Sequence, residues 1–330
     1  MRKILLPLMC LLVLASCSHN DVLKKKGSSG KTLEVLLVAD AKIYKEGSST
    51  RQIVDSLFRS PQKGLPQPES KFDIVNIPVS SFSNTEMFHM CRNIVVCNIR
   101  SDNPNEVYFN TDRWASPQVV FELAAKDQHS LDSMLLRHYP TIEKQIYRAE
   151  HKRVINAFRG MRSVSIMEEV KDQYGFELVV SDEFELAKLS NPQPELAWIR
   201  KEAKDFGIGV LLKVAPYTDK DMFREDVIIG NIDSIMSHVE GPADSSYMAI
   251  ERRVSLYSSN CDFEQSAYAM ETRGCWRLFG DFMGGPFVAY TILSPDNKQV
   301  ITMIAYAYCP RFGKRDYLMQ VESICHSITF

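Results

Sequence analysis

Short apolar runs alternate with amphipathic segments from residue 32 onward, a pattern that predicts strands and helices in turn. Thr32–Asp40 (TLEVLLVAD) has the continuous apolar character of a buried strand, and STRQIVDSLFRS follows with apolar residues at helical spacing. Further strands are predicted at KFDIVNIPV, NIVVCNI and QVVFELAAKD. We therefore expect an N-terminal α/β domain over residues 32–160.

A long helix, predicted over about Thr141–Arg159, closes this domain. Ile142, Ile146 and Phe158 belong to its apolar stripe, which should face the core. The pattern of the opposite face favours a plain solvated surface, and contact with a membrane or an anionic partner is the alternative. That face carries five basic residues: Lys144, Arg148, Lys152, Arg153 and Arg159.

Residues 161–330 mix helices with strands that can form hairpins. A helix over SIMEEVKDQYG should end at Gly175, and strands are predicted at FELVVSDEFELAKL, LAWIRKEA and GIGVLLKVAPY. The stretch PFVAYTILSPDNKQVITMIAYAYCP predicts a hairpin, and a last helix follows from Lys314 to Ile328. We therefore expect an α+β fold, with two α/β-sandwich domains whose mainly antiparallel sheets are covered by helices.

The chain opens with the pattern of an export signal. Arg2 and Lys3 precede an apolar run, Ile4–Ala15, that is shorter than the roughly 20 residues needed to cross a bilayer. The sequence LASC, which ends at Cys17, resembles the bacterial lipobox. This resemblance implies cleavage after residue 16 and acylation of Cys17, with an ordinary secretory signal as the alternative.

A polar segment separates this signal from the first predicted strand. Residues 17–31 are rich in Lys, Gly and Ser and are expected to form a flexible tether. Its Lys24–Lys26 run is either solvated or in contact with anionic lipid headgroups. The protein is thus expected to be a palmitate-bearing lipoprotein of a bacterial cell envelope, held to its membrane through Cys17.

Composition narrows the classes of function. The chain has a formal net charge of −2, which argues against a nucleic-acid partner, because such proteins need a strongly basic surface. Six cysteines follow Cys17, and they form either at least one disulfide or a set of buried thiols. No pair has the Cys-x-x-Cys spacing of a zinc site. These cysteines are Cys91, Cys97, Cys261, Cys275, Cys309 and Cys325.

The most distinctive stretch for chemistry is GCWRLFGDFMGGPFVAY, Gly274–Tyr290. Its glycines could present backbone amides to an anion, which makes Trp276, Gly284, Gly285 and Pro286 the candidate binding residues. The alternative is a tight turn that feeds a hairpin. The histidines occur singly along the chain, and no hydrolase or metalloprotease motif is present. No catalytic residue, metal or cofactor is therefore predicted.

Four features together resemble one family: the lipobox, LEVLLVAD, Trp276 with the following FMGGPF, and KRDYLMQVESI. This is the domain-of-unknown-function family numbered four-eight-three-seven, a group of Gram-negative envelope lipoproteins. The resemblance implies a shared fold over nearly the whole mature chain and a location in the envelope of a Gram-negative bacterium, where the outer membrane is the expected site. No activity is assigned to the family, so no catalytic residue carries over.

More loosely, Phe287–Phe330 is similar to the ends of photosystem-II-P and Mog1-like domains, which mostly serve as binding or assembly modules. This is an analogy of fold only. We therefore expect a non-catalytic envelope protein that binds a protein or glycan partner. The alternatives are an envelope hydrolase with a site near Gly284-Gly285 and a carrier of a small ligand.

Overall fold

The N-terminal half builds a five-stranded mixed sheet. The computed structural model describes residues 25–189 and 193–330, so the predicted signal peptide, Cys17 and the first part of the predicted tether lie outside the described residues. The strands are β1 (Glu34–Val38), β2 (Asp73–Ile77), β3 (Asn93–Ile99), β4 (Glu106–Thr111) and β5 (Val119–Ala125). Their order is β2-β1-β3-β5-β4, and every pairing is parallel except that of β4 with β5.

Helices cover both faces of this sheet. Val35 and Leu37 pack toward α1 (Ser49–Phe58) and α4 (Gln128–Gly160), whereas the alternate residues Leu36 and Val38 pack on the opposite side. The opposite face is covered by α2 (Val79–Asn84) and α3 (Glu86–His89). Burial on both faces explains why β1 is a continuous apolar run rather than an alternating one.

Helix α4 starts at Gln128, thirteen residues before the predicted Thr141. Pro140 lies inside this helix. Asp127 caps the true start by accepting a hydrogen bond from the Ser130 amide (2.8 Å). Pro140 cannot donate to the carbonyl of Leu136, but Leu136 is exposed, so water can satisfy that carbonyl. Pro140 is therefore tolerated inside α4, on a solvent-facing turn.

The C-terminal half forms an eight-stranded sheet in which every pairing is antiparallel. Its strands are β6 (Glu185–Leu186), β7 (Leu196–Ala203), β8 (Phe206–Pro216), β9 (Tyr247–Ile250), β10 (Tyr257–Asn260), β11 (Tyr268–Phe279), β12 (Gly284–Leu293) and β13 (Gln299–Tyr308). The order is β10-β11-β12-β13-β8-β7-β6, and β9 pairs with β11 off this path.

Helices also cover both faces of the second sheet. One face carries α5 (Val164–Tyr174) and α7 (Arg315–Cys325), and the other carries α6 (Glu225–Met236), which a short 3-10 helix (Lys220–Phe223) precedes. Gly175 ends α5 in the left-handed region, as predicted. The end of α4 joins the first of these faces through Phe158, so α4 spans both halves of the molecule.

The α+β class is confirmed, and most pairings are antiparallel, with the parallel ones confined to the N-terminal sheet. Two details differ from expectation. Within FELVVSDEFELAKL only Glu185–Leu186 forms a strand. Strands β4, β9, β10 and β11 were not predicted from sequence; in β11, Glu271, Arg273 and Gly274 interrupt the apolar pattern.

The described end of the predicted tether contacts the body. The Ser116 amide donates to the Lys26 carbonyl (2.9 Å), and the Ser29 amide donates to the Met90 carbonyl (2.8 Å). Gly27 and Ser29 form isolated parallel bridges with Ser116 and Cys91, respectively. Residues 26–29 are therefore held at the edge where β3 and β5 begin, and this part of the predicted tether is not free.

Candidate functional site

A cleft of about 1000 Å³ lies between α4 and the second sheet. The exposed face of α4 forms one wall, and residues 259–265 and 327–329 contribute to the others. The cleft therefore lies where the long helix passes from one half of the molecule to the other. Four basic residues of α4 line it: Lys144, Arg148, Lys152 and Arg159.

These cations share one face because of their spacing. Lys144, Arg148 and Lys152 are four residues apart, which places them on successive turns of the helix. Lys144 forms an ion pair with Asp262 across the cleft. Within the described part of the chain, no carboxylate lies within ion-pair distance of Arg148, Lys152 or Arg159. The wall thus presents three cations without a carboxylate partner.

Arg153, predicted to share this basic face, points elsewhere. It forms an ion pair with the buried Glu150 (2.8 Å) and donates to the backbone carbonyls of Arg92 (2.7 Å) and Pro117 (3.0 Å). A residue next to Lys152 is turned by about 100° around a helix, so it faces the first sheet instead. The predicted set of five is therefore split into four cleft residues and one structural residue.

A buried charge cluster borders the same cleft. Arg273 on β11 lies between Glu271, on the same strand, and Glu322 on α7. Its Nε is 2.7 Å from Glu271 Oε1, and its Nη2 is 2.9 Å from Glu322 Oε2. The Tyr290 hydroxyl on β12 donates to Glu322 Oε2 (3.1 Å). One guanidinium therefore holds two carboxylates from different elements.

Two histidines that occur singly in the sequence, His151 and His326, extend this cluster. His326 Nε2 lies 3.2 Å from the Tyr290 hydroxyl, and its ring stacks on that of His151 with centroids 4.1 Å apart. Phe263 also stacks on the His326 ring, at 4.4 Å. His151 Nδ1 lies 3.0 Å from the Ser323 hydroxyl. Histidines 175 positions apart in sequence thus share one buried stack.

Burial and the arginine set the ionisation of these groups. Burial lowers the pKa of His151 to about 3, and the pKa of His326 is also lowered, first by burial and then by His151. Burial raises the pKa of Glu322 above its usual value even though Arg273 opposes the shift. At Glu271 burial is the largest influence and raises the pKa, but the charge and hydrogen bond of Arg273, with smaller contributions from His326 and Tyr290, together lower it below its usual value. Both imidazoles are therefore neutral at pH 7.

The residues proposed from sequence lie elsewhere. Trp276 on β11 is directly opposite Gly285 on β12, is buried, and donates through Nε1 to the Ala307 carbonyl (3.3 Å). Neither Gly284 nor Gly285 has a positive φ among the described residues; the left-handed residue between the two strands is Gly280 (φ 83°). A Cβ on Gly285 would lie 2.0 Å from the Ala307 oxygen.

These glycines are thus strand residues that allow close packing. Trp276, Gly284, Gly285 and Pro286 are absent from the described lining of the large cleft. Binding at these positions stays a prediction. Sequence reasoning missed the cluster that does border the cleft, although Glu271 and Arg273 carried a signal: opposite charges two residues apart share one face of a strand.

Thiol and metal chemistry are limited in the described regions. The six cysteines that follow Cys17 are all free, and Cys261, which lines the cleft, has its pKa raised to about 12 by burial and by Glu271. Its thiol is therefore protonated and weakly nucleophilic at pH 7. In residues 25–189 and 193–330 no group of three or more His, Cys, Asp or Glu could hold a metal ion. No helix there is both long and apolar enough to cross a membrane.

Two family models match the chain. The Domain of unknown function (DUF4837) model matches residues 163–327, half of the chain. The chain belongs to the DUF4837 family. A second model, Domain of unknown function (DUF8532), matches residues 28–159. The resemblance to the first family was expected over nearly the whole mature chain, but its model covers only the C-terminal half. A comparison with curated proteins gave no match.

The cleft combines both matched regions. Its cationic wall belongs to α4 in the DUF8532 region, and Glu271, Arg273, Tyr290, Glu322 and His326 belong to the DUF4837 region. Neither region alone supplies all the groups that line it. The cleft is therefore a feature of the two regions together.

Proposed function

We propose that this protein is a lipid-anchored, non-catalytic binding module of the Gram-negative cell envelope that holds an anionic ligand in the cleft beside α4. The observation that carries the ligand-binding part is the row of cations Arg148, Lys152 and Arg159, which line the cleft and have no carboxylate within ion-pair distance among the described residues. The lipid-anchored part follows from the leader pattern that ends at Cys17.

The balance of charge in the cleft supports an anionic ligand. Four of its carboxylates already have cationic partners, which leaves Glu264 as the remaining acid among the described lining residues. Arg148, Lys152 and Arg159 of α4 line the same cleft and have no carboxylate within ion-pair distance among the described residues. Cations gathered in a recess concentrate counter-ions there, so a ligand with phosphate or carboxylate groups fits best. The four paired acids are Glu143, Asp262, Glu271 and Glu322.

The size and polarity of the cleft favour this ligand over an apolar one. A volume of about 1000 Å³ is at the upper end of the range for small-molecule sites, so a ligand of several groups can enter. Charged and polar side chains from both halves line the cleft. A carrier of an apolar lipid chain needs an apolar cavity instead, so the carrier alternative is less well supported.

The binding claim is tested with inorganic polyphosphate as a soluble probe. Replacing Arg148, Lys152 and Arg159 together by Gln should weaken binding on the order of 10- to 100-fold, since each exposed cation contributes up to about 1 kcal/mol. A matched control replaces Lys42, Lys45 and Arg137, which are exposed and outside the described cleft lining; the two lysines follow β1, and Arg137 lies in the first half of α4. Equal affinity of both triple variants for polyphosphate would overturn the proposal.

The anchoring claim is tested separately. Cys17→Ala should abolish palmitate labelling and release the protein from membranes, because residues 17–31 would then lose their covalent link to the bilayer. Phase separation in detergent and metabolic labelling give the readout. Persistent labelling of the Cys17→Ala protein would show that the lipobox reading is wrong.

An envelope hydrolase is the second candidate, because Glu271 and Glu322 share one arginine while their pKa values move in opposite directions. Both carboxylates are engaged by Arg273, however, which leaves neither free to act on a substrate. The hydrolase site predicted from sequence, near Gly284-Gly285, lies within β12, where both residues pair with β11. We therefore rank binding above hydrolysis.

A further inference from the structure

The cationic wall ends at a defined place in the fold. Helix α4 runs antiparallel to β5, so its second half lies at the amino edge of the first sheet, where β3 and β5 begin. Arg153 fixes this placement by donating to the Arg92 and Pro117 carbonyls. Arg148 and Arg159 are five and six residues from Arg153, or roughly 8–9 Å along the helix axis. Arg148, Lys152 and Arg159 therefore lie near that same edge.

The chain that leads from the predicted anchor arrives at this edge as well. The Ser116 amide donates to the Lys26 carbonyl, and Pro117, the next residue, accepts from Arg153. Lys25 Nζ also bonds to the Asp112 carbonyl. The first described residues of the chain and the second half of α4 thus contact two adjacent residues, Ser116 and Pro117.

Chain length limits the distance between the bilayer and this edge. Nine peptide units separate Cys17 from Lys26, and a fully extended chain covers at most about 3.6 Å per residue, so the span is at most roughly 32 Å. An acylated Cys17 would therefore hold the amino edge close to the lipid headgroups.

The surface at this edge suits a bilayer interface. The Arg113 guanidinium lies 4.4 Å from the centre of the Trp114 ring, and Trp114 stacks on His89 at 4.6 Å. Met87, two residues from His89, is 67% exposed. Tryptophan and basic residues are the groups that favour the headgroup region of a membrane.

We infer that the anionic ligand of the α4 cleft is the phosphate headgroup of lipids in the membrane to which Cys17 is anchored. This inference rests on the proposed function, both the anchor and the anion-binding cleft. Arg148 and Arg159 offer forked N–H groups that match phosphate oxygens, and Lys152 adds a point charge between them. The edge carrying these groups then faces the leaflet, and the protein lies against the membrane rather than away from it.

The test separates the cleft from the covalent anchor. Full-length Cys17→Ser protein, which cannot be acylated, is floated with vesicles that contain phosphatidylglycerol or only phosphatidylcholine. We expect binding to the phosphatidylglycerol vesicles, weakened on the order of 100-fold by the Arg148, Lys152 and Arg159 triple substitution, because each cation contributes about 1 kcal/mol at an anionic surface. The control variant with Lys42, Lys45 and Arg137 replaced should bind phosphatidylglycerol vesicles as tightly as the Cys17→Ser protein.

The remaining outcomes overturn the inference in distinguishable ways. Equal vesicle binding by both triple variants, with polyphosphate binding still lost in the α4 variant, would show that the cleft binds anions but not lipid headgroups. Full competition by millimolar inorganic phosphate, with no preference for anionic vesicles, would identify free phosphate as the source of the ligand. If the α4 variant keeps both vesicle binding and polyphosphate binding, the proposed function is overturned as well.

Discussion

The molecule has two buried ion clusters near α4, and the balance of charge in one is the opposite of that in the other. On the side of the first sheet, one carboxylate, Glu150, lies between two guanidinium groups, Arg92 (3.0 Å) and Arg153 (2.8 Å). On the side of the second sheet, one guanidinium, Arg273, lies between the carboxylates of Glu271 and Glu322. The first cluster has an excess of positive charge and the second an excess of negative charge.

Their surroundings assign them different roles. The Glu150 cluster fills the junction between α4 and the first sheet, where Asn93 Nδ2 also donates to Glu150 (2.9 Å), and none of its charged members is among the described cleft residues. The Arg273 cluster borders the cleft and continues into Tyr290 and His326. Similar ion clusters thus fix the helix on one side and border an open cleft on the other.

The largest expected effect comes from removing the arginine of the second cluster. Arg273→Ala should lower the free energy of unfolding by about 3–5 kcal/mol, because it leaves two buried carboxylates without a cation. Glu150→Gln should cost less, roughly 1–3 kcal/mol, since the amide keeps an acceptor for Asn93. Urea unfolding at pH 7 measures both, and a larger loss for Glu150→Gln would reverse the comparison.

A change in the same sheet but away from the cleft gives the next largest effect. Gly285→Ala should cost about 1–3 kcal/mol, because its Cβ would lie 2.0 Å from the Ala307 oxygen and the hairpin must shift. Polyphosphate affinity should be unchanged in the folded protein, as read by titration well below its melting temperature. Loss of affinity at unchanged stability would instead make this glycine part of a binding site.

The histidine stack gives a smaller effect that depends on pH. The pKa of His151 is lowered to about 3 in the folded protein, whereas in the unfolded chain it is near 6.5. Between pH 6.5 and pH 3 the unfolded chain therefore binds more protons than the folded protein. Stability should therefore fall as the pH drops from 6.5 toward 3. The raised pKa of Glu322 acts in the opposite direction, since protonation then favours the folded state.

The contribution of His151 is isolated by comparing the wild type with His151→Gln. Melting temperatures measured from pH 7 to pH 4 should decline less steeply in the variant, because it lacks one imidazole that must charge on unfolding. His129→Gln, on an accessible part of α4, is the matched control and should follow the wild type. Parallel curves for the wild type and His151→Gln would contradict the assigned pKa.

Local patterns allowed much of the fold to be predicted. The apolar run of β1, the Gly175 helix end and the hairpin at Ser294–Asn297 each depend on residues that are neighbours in sequence. The basic face of α4 was visible for the same reason. The Arg273 cluster was not, since it joins Glu271 to Glu322 and His151 to Ser323, pairs that only the tertiary fold brings together.

If Arg148, Lys152 and Arg159 bind an anion, a structure of the complex should show that anion beside them. A crystal structure of the full-length Cys17→Ser protein grown with a short inorganic polyphosphate should show phosphate oxygens within hydrogen-bond distance of at least two of Arg148, Lys152 and Arg159. The Gln variant of these three residues, crystallised identically, should show none there. Polyphosphate bound at another surface, with the α4 wall in contact only with solvent, would contradict anion binding by these three residues.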